Sequence, residues 1–321
     1  MKWRVLQSPP KADGGARTAV LTLTAEGYVD HRGHRVWWGA VGGGEAPDRL
    51  PVLAIHGGPG MPHDCLEPLA ALAEGRRVIF YDQYGCGRSD RATDPLDYDI
   101  ELFVEEIDVI RRALGLTDVH LFAHSYGGPL ALEYLLSEPR VGVRSLVLSN
   151  TFASVPALAE GWARRLGELG GEAQQALTAG AAAGNGAAYG AALAEFIDRF
   201  VLPLPPPEPM MRAQMHSGAE VYTRMHGSSW FTPDGQWADW DATERLPRLR
   251  VATLVVGGVR DQCVPELSET IHRGIRDSEL EVLDTAHLPF FEDPEQYLAL
   301  VADFLRKAES RAAAGPALGT A

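Results

Sequence analysis

The sequence predicts an α/β fold, a mostly parallel sheet with helices on both faces and an inserted helical lid. Two observations carry that expectation. Short continuous apolar runs alternate with helical patterns over residues 18–151 and again over 246–308, as buried parallel strands joined by crossover helices require. Between these blocks the composition changes. Residues 152–245 carry an alanine- and glycine-rich stretch, AGAAAGNGAAYGAALAEF, a proline run, PLPPPEP, and the tryptophans Trp162, Trp230, Trp237 and Trp240. At 321 residues the chain can bury the core of one large domain with such an insertion.

The elements follow in order. YVD and RVWWGAV read as a hairpin around the turn HRGH, where His31 and His34 are the only close histidine pair; a solvated turn explains them better than a metal site. LPVLAIH is a buried strand, CLEPLAALAEG a helix, RRVIFYD a strand and YDIELFVEEIDVIRRALGL a helix. DVHLF is a short strand, GPLALEYLLSEP a helix stopped by Pro139, and RSLVLSN the next strand. After the insertion come the strand RVATLVVGG, a helix around ELSETIHRGI, the strand ELEVLD and a last helix over residues 294–308. The ends, 1–17 and 309–321, are expected to be flexible, the latter closing on SRAAAGPALGTA. The insertion falls where it can act as a lid above the carboxyl ends of the strands, the ligand-binding edge of open α/β sheets.

Composition narrows the partners. A formal net charge of −14 argues against nucleic acid and anionic membrane surfaces. No apolar run is long enough to span a bilayer, and MKWRVLQSPPKADGG lacks the apolar core of a secretion signal. Cys65, Cys86 and Cys263 are scattered and odd in number, so they read as reduced thiols of a cytoplasmic protein.

Between DVHLF and GPLALEY the chain reads Ala123-His124-Ser125-Tyr126-Gly127, one glycine short of the G-x-S-x-G turn that exposes a nucleophilic serine. That turn is crowded two residues either side of the serine, and alanine adds only a methyl group. A serine hydroxyl needs a base and a group that orients the base. His287, in LEVLDTAHLPFFEDP, and Asp261, in LVVGGVRDQCVPE, each follow a predicted strand. The order Ser, Asp, His at strand ends is that of an α/β hydrolase. Asp277 is the weaker candidate for the acid, and Asp284 reads as the end of its strand. HGGPG, residues 56–60, follows another strand, and its Gly58 N–H, with that of Tyr126, is expected to form the oxyanion hole.

With these elements in place the chain resembles the proline iminopeptidase family, most closely its branch of tricorn-interacting aminopeptidases. The resemblance spans roughly residues 26–306 and rests on HGGPGMPHDCLEPL, VIFYDQYGCGRSD, HSYGGPLALEY, MHGSSWFTPDGQWADWD and DTAHLPFFEDPEQY. It implies release of N-terminal residues, often proline, from short peptides by an acyl-serine route, with no metal and no cofactor. It also implies that DQYGCGRSD shapes the wall beside the oxyanion loop. In that branch one amine-binding glutamate precedes the FT of the lid and another follows the triad aspartate; here Trp230 and Gln262 stand at those places. Both are therefore expected in the substrate site, together with His56. Glu220 could supply a replacement carboxylate if it points into the cavity, as could Asp234 or Asp239, although each also reads as a solvated acid of the lid. Two enzymatic readings follow, an aminopeptidase with a relocated amine anchor and an esterase or amidase for a neutral or aromatic acyl group. A small-molecule receptor that keeps the triad without turnover is the third.

Overall fold

The computed structural model describes residues 5–6, 21–43, 46, 49–137, 140–183 and 186–313. Among them nine strands form one sheet: β1 (Val5–Leu6), β2 (Ala25–His31), β3 (His34–Val41), β4 (Val52–Ile55), β5 (Val78–Tyr81), β6 (Val119–His124), β7 (Val143–Ser149), β8 (Ala252–Gly258) and β9 (Ser278–Leu283). Their order is β1-β9-β8-β7-β6-β4-β5-β3-β2, and all neighbours run parallel except β2 with β3 and β3 with β5. The apolar runs are continuous because both faces are covered. In β4, Val52 and Ala54 join one core cluster while Leu53 and Ile55 join the other.

Local chemistry sets the connections. The hairpin turns at Arg32 (φ 47°) and Gly33 (φ 86°). The two flanking histidines are buried, contrary to the solvated turn expected, because His34 stacks on Tyr84 with ring centroids 3.6 Å apart. α1 (Ile100–Ala113) starts at Asp99, whose carboxylate accepts the Leu102 N–H at 2.6 Å. α2 (Gly127–Ser137) follows β6; Pro139, expected to stop it, lies outside the described residues. The expected helix CLEPLAALAEG is instead a 3-10 segment, His63–Leu72, with Pro68 inside. Proline has no N–H for an α-helical bond and its ring crowds the preceding turn.

Between β7 and β8 stand α3 (Val155–Leu169), α4 (Gly171–Ala183), α5 (Gly186–Phe200), α6 (Glu208–Met215) and α7 (Ala219–Met225). The described residues of the alanine-rich stretch fall in α4 and α5, in keeping with the high helix propensity of alanine. α6 is fastened to the 3-10 segment by Arg212, whose Nε lies 2.9 Å from Asp64 Oδ1 and whose guanidinium also meets Glu67. The chain then returns to β8, α8 (Pro265–Gly274), β9, the short α9 (Pro289–Glu292) and α10 (Pro294–Ala313).

The chain ends differ from expectation where they are described. Val5 and Leu6 pair with Val282 and Leu283 of β9. α10 passes its expected end because Glu309 is buried, accepting the Leu50 N–H at 2.9 Å and meeting Arg76 Nη1 at 2.7 Å. Residues 1–4, 7–17 and 314–321 lie outside the described residues.

Candidate active site

The turn between β6 and α2 holds Ser125 at φ 53°, a left-handed conformation uncommon for a side-chain-bearing residue. Its backbone is tied down on three sides. The Ser125 N–H donates to Ser149 O at 3.0 Å, while its own carbonyl accepts from Gly128 N–H at 2.9 Å and Thr151 Oγ1 at 2.6 Å. The neighbouring glycines are steric necessities: a Cβ on Gly57 would lie 2.8 Å from Ser125 Cβ, and one on Gly127 would lie 2.4 Å from Ile55 O. Ala123, where the pattern expects glycine, pairs with Ile55 inside the sheet and is fully buried, with room for its one methyl group.

β8 and β9 deliver the partners. His287 Nε2 lies 3.0 Å from Ser125 Oγ, and His287 Nδ1 lies 2.7 Å from Asp261 Oδ1. Asp261 is wholly buried yet satisfied, since Oδ1 also accepts the Cys263 N–H at 2.8 Å and Oδ2 accepts from Asn150 Nδ2 at 2.8 Å. The rival acids lie elsewhere. Asp284 meets Arg260 at 3.3 Å, and Asp277, at the opposite end of β9, meets Arg311 at 3.5 Å.

Three contributors carried no signal in sequence spacing. Asn150, at φ 50° just past β7, holds the second oxygen of Asp261. Arg165 of α3 donates from Nε to the Asp261 carbonyl at 2.8 Å and from Nη2 to Val259 O at 2.7 Å, tying the insertion to the loop that bears the acid. His124 Nε2 sits 3.0 Å from His287 O and its ring centroid 4.8 Å from that of His287. A carbonyl can only accept, so Nε2 carries the proton. Burial pushes the His124 pKa well below its ordinary value and keeps the ring neutral.

Ser125, His124 and His287 form the floor of a cavity of about 420 Å³. Gly58 and Tyr126 line it beside Ser125, and neither backbone N–H has an acceptor among the described residues. The walls are Met61, Leu158, Trp162, Met210, Tyr222 and Trp230, with Gln262 and His226 as polar points. Among the described residues, no aspartate, glutamate, lysine or arginine lines it. Trp230 and Gln262 meet in space, the indole Nε1 donating to Gln262 Oε1 at 3.0 Å.

Two residues expected in the substrate site do not line this cavity. His56 is wholly buried beside the Gly57–Gly58 turn, with Nδ1 3.0 Å from Gly57 O and Nε2 accepting the Gln83 N–H at 2.9 Å. Burial lowers its pKa to about 4, so it stays neutral and shapes the loop from behind. Glu220 is exposed and faces a separate depression with Arg224 and Asp234, because it occupies the outer side of α7. Asp239 is exposed and lines neither.

Two clusters among the described residues bring metal-ligating atoms within 4.8 Å of one another. One is Asp261, Cys263 and His287, whose carboxylate and imidazole already face each other. The other is His63, Asp64 and Glu67, where Arg212 supplies the positive charge and Asp82 takes the His63 ring.

Residues 51–294 match the family model described as alpha/beta hydrolase fold. The chain is 36% identical over 271 residues to the proline iminopeptidase of Lactobacillus delbrueckii subsp. bulgaricus, covering 82% of this chain and 92% of that one. It superposes with TM-score 0.84 on the crystal structure of a proline iminopeptidase from Mycobacterium smegmatis, at 32% identity over 90% of this chain and all of that one. A structure titled VinJ gives the same TM-score of 0.84 at 30% identity over 89% of this chain.

Proposed function

Because the chain belongs to the α/β-hydrolase fold family and is a hydrolase related to the proline iminopeptidases, we propose that it cleaves small acyl compounds through an acyl-serine intermediate. The observation that carries this reading is the hydrogen-bonded chain from Ser125 and His287 on a cavity floor to the buried Asp261 behind them. His287 Nε2 takes the proton as Ser125 Oγ attacks the carbonyl carbon. The N–H groups of Gly58 and Tyr126 receive the oxyanion. His287 then returns the proton to the leaving amine or alkoxide, and a water activated by the same nitrogen frees the acyl group from Ser125. Asp261 fixes the Nδ1–H tautomer and stabilises the imidazolium.

The named relatives support release of an N-terminal residue from short peptides or aminoacyl amides as the first substrate reading. A second, an amidase or esterase for a neutral acyl group, is favoured by a lining that holds no carboxylate among the described residues. The lid sequence MHGSSWFTPDGQWADWD supports a place near the tricorn-interacting branch. We read residues 152–245 as a lid over the core formed by 18–151 and 246–308. Three free, buried cysteines suit a reducing cytoplasm, and among the described residues no helix is long and apolar enough to cross a membrane.

A fluorophosphonate probe tests the mechanism. Wild-type protein is expected to label at Ser125, and Ser125→Ala to lose both labelling and hydrolysis, by a factor on the order of 10⁴ or more. Folded wild type that does not label would overturn the acyl-serine reading in favour of a non-catalytic receptor.

A further inference from the structure

An indole N–H can only donate, so the 3.0 Å contact with Trp230 Nε1 obliges Gln262 to turn its amide oxygen toward the indole. The Nε2 group then has no partner among the described residues, and Gln262 lines the cavity that holds Ser125. At this point of the wall the pair therefore presents the two N–H donors of Gln262 Nε2. An ammonium has donors only, and this pair offers it no carboxylate, only the second lone pair of an amide oxygen that the indole already engages.

The titratable and charged groups around the pair do not alter that polarity. His226 donates from Nε2 to Trp230 O at 3.1 Å and burial lowers its pKa. The Tyr222 phenol and the Cys263 and Cys65 thiols are pushed up by burial and stay protonated. His124 and His287 lie across the floor. Asp261 is engaged by His287, Asn150 and the Cys263 N–H, and Arg165 stands behind it on its backbone carbonyl.

Resting on the acyl-serine reading, we propose that Gln262, set by Trp230, selects substrates whose acyl group offers an uncharged hydrogen-bond acceptor, an unprotonated α-amine or an N-acyl carbonyl, and rejects an ammonium. The wall is thus a specificity determinant for neutral acyl groups. An α-amine ionises near pH ~8, so its unprotonated fraction grows about tenfold per unit below that.

The test compares kcat/KM for phenylalanine p-nitroanilide and its N-acetyl counterpart between about pH 6 and 8. Dividing one by the other cancels any pH dependence that the two substrates share. In wild type the ratio of free-amine to acetylated turnover is expected to rise about tenfold per pH unit. In Gln262→Glu, which keeps an acceptor for the indole but adds a carboxylate, the ratio at about pH 6 is expected to rise at least tenfold and its pH dependence to flatten. A wild-type ratio that is flat or falls with pH, or a Gln262→Glu ratio like that of wild type, overturns the proposal. Calorimetry of phenylalaninamide and N-acetylphenylalaninamide with Ser125→Ala reads the same preference without chemistry. Binding of the acetylated ligand alone at about pH 6 supports it, and equal or tighter binding of the ammonium form, or binding of neither, overturns it. Failure of fluorophosphonate labelling strikes the acyl-serine reading instead, so the two failures are distinct.

Discussion

At the scale of single residues, the site depends on side chains whose value comes from one contact each. Asn150 is the clearest. Its φ of 50° is a conformation that asparagine and glycine tolerate, and its Nδ2 holds Asp261 Oδ2 at 2.8 Å. Asn150→Gly keeps the backbone and removes only the amide. We expect kcat to fall about 10- to 100-fold with KM little changed, measured on whichever substrate the wild type turns over. A matching fall in fluorophosphonate labelling rate would place the loss at Ser125 activation. Unchanged kcat would mean that Cys263 N–H and His287 hold Asp261 without help. His56 shows the opposite case. It stands next to Gly57 and Gly58 in sequence yet does not line the cavity, because the Gln83 N–H captures its Nε2.

At the scale of elements, the strand ends fix the floor and the inserted helices fix the walls. The join between them includes Arg212 on α6, which neutralises Asp64 and Glu67 of the 3-10 segment beside the cavity. Both acids are buried, and burial pushes the Glu67 carboxyl upward. Arg212→Ala would leave two carboxylates without their cation. Since the arginine is partly exposed, the expected loss is about 1–3 kcal/mol, below that of a fully buried pair, read as a lower urea midpoint. A midpoint unchanged within error would show that α6 is held by its apolar face alone. The 3-10 geometry of the segment was hidden in sequence, since Cys65, Leu66, Leu69 and Leu72 repeat at an α-helical spacing and only Pro68 hints otherwise.

At the scale of the whole molecule, α10 closes the structure by returning the end of the described chain to the entrance of β4. Glu309 meets Arg76, His120 and the Leu50 N–H in a buried cluster. Burial by itself would raise its pKa, but the bonds from His120, Arg76 and Leu50 outweigh it and hold the carboxyl at about 2, against an ordinary 4.5. A folded pKa below the unfolded one stabilises fully above the unfolded value, and that stabilisation is lost as pH falls from about 4.5 toward 2. Glu309→Gln is expected to cost about 1–3 kcal/mol at neutral pH, and the difference from wild type to shrink as pH falls through that window. Urea titrations at neutral and acid pH check it. A difference independent of pH would assign the loss to packing instead of charge.

By itself the sequence determined the alternation of strands and helices, the block between β7 and β8, and the candidacy of Ser125, Asp261 and His287. Those features are local: continuous apolar runs mark strands covered on both faces, and glycines at 57 and 127 stand where a Cβ would strike the serine or the neighbouring backbone. Parallel strands also put their carboxyl ends on one edge, so residues just past them share a neighbourhood before any coordinate is known. The tertiary structure decided what depends on distance and direction between remote segments. It separated Asp261 from Asp277 and Asp284, brought Asn150 and Arg165 to the acid, and turned Glu220 outward and His56 inward. It also set Trp230 against Gln262 with the amide nitrogen left over. Sequence names a side chain, but which of its atoms faces a ligand is fixed by the partner that captures the others.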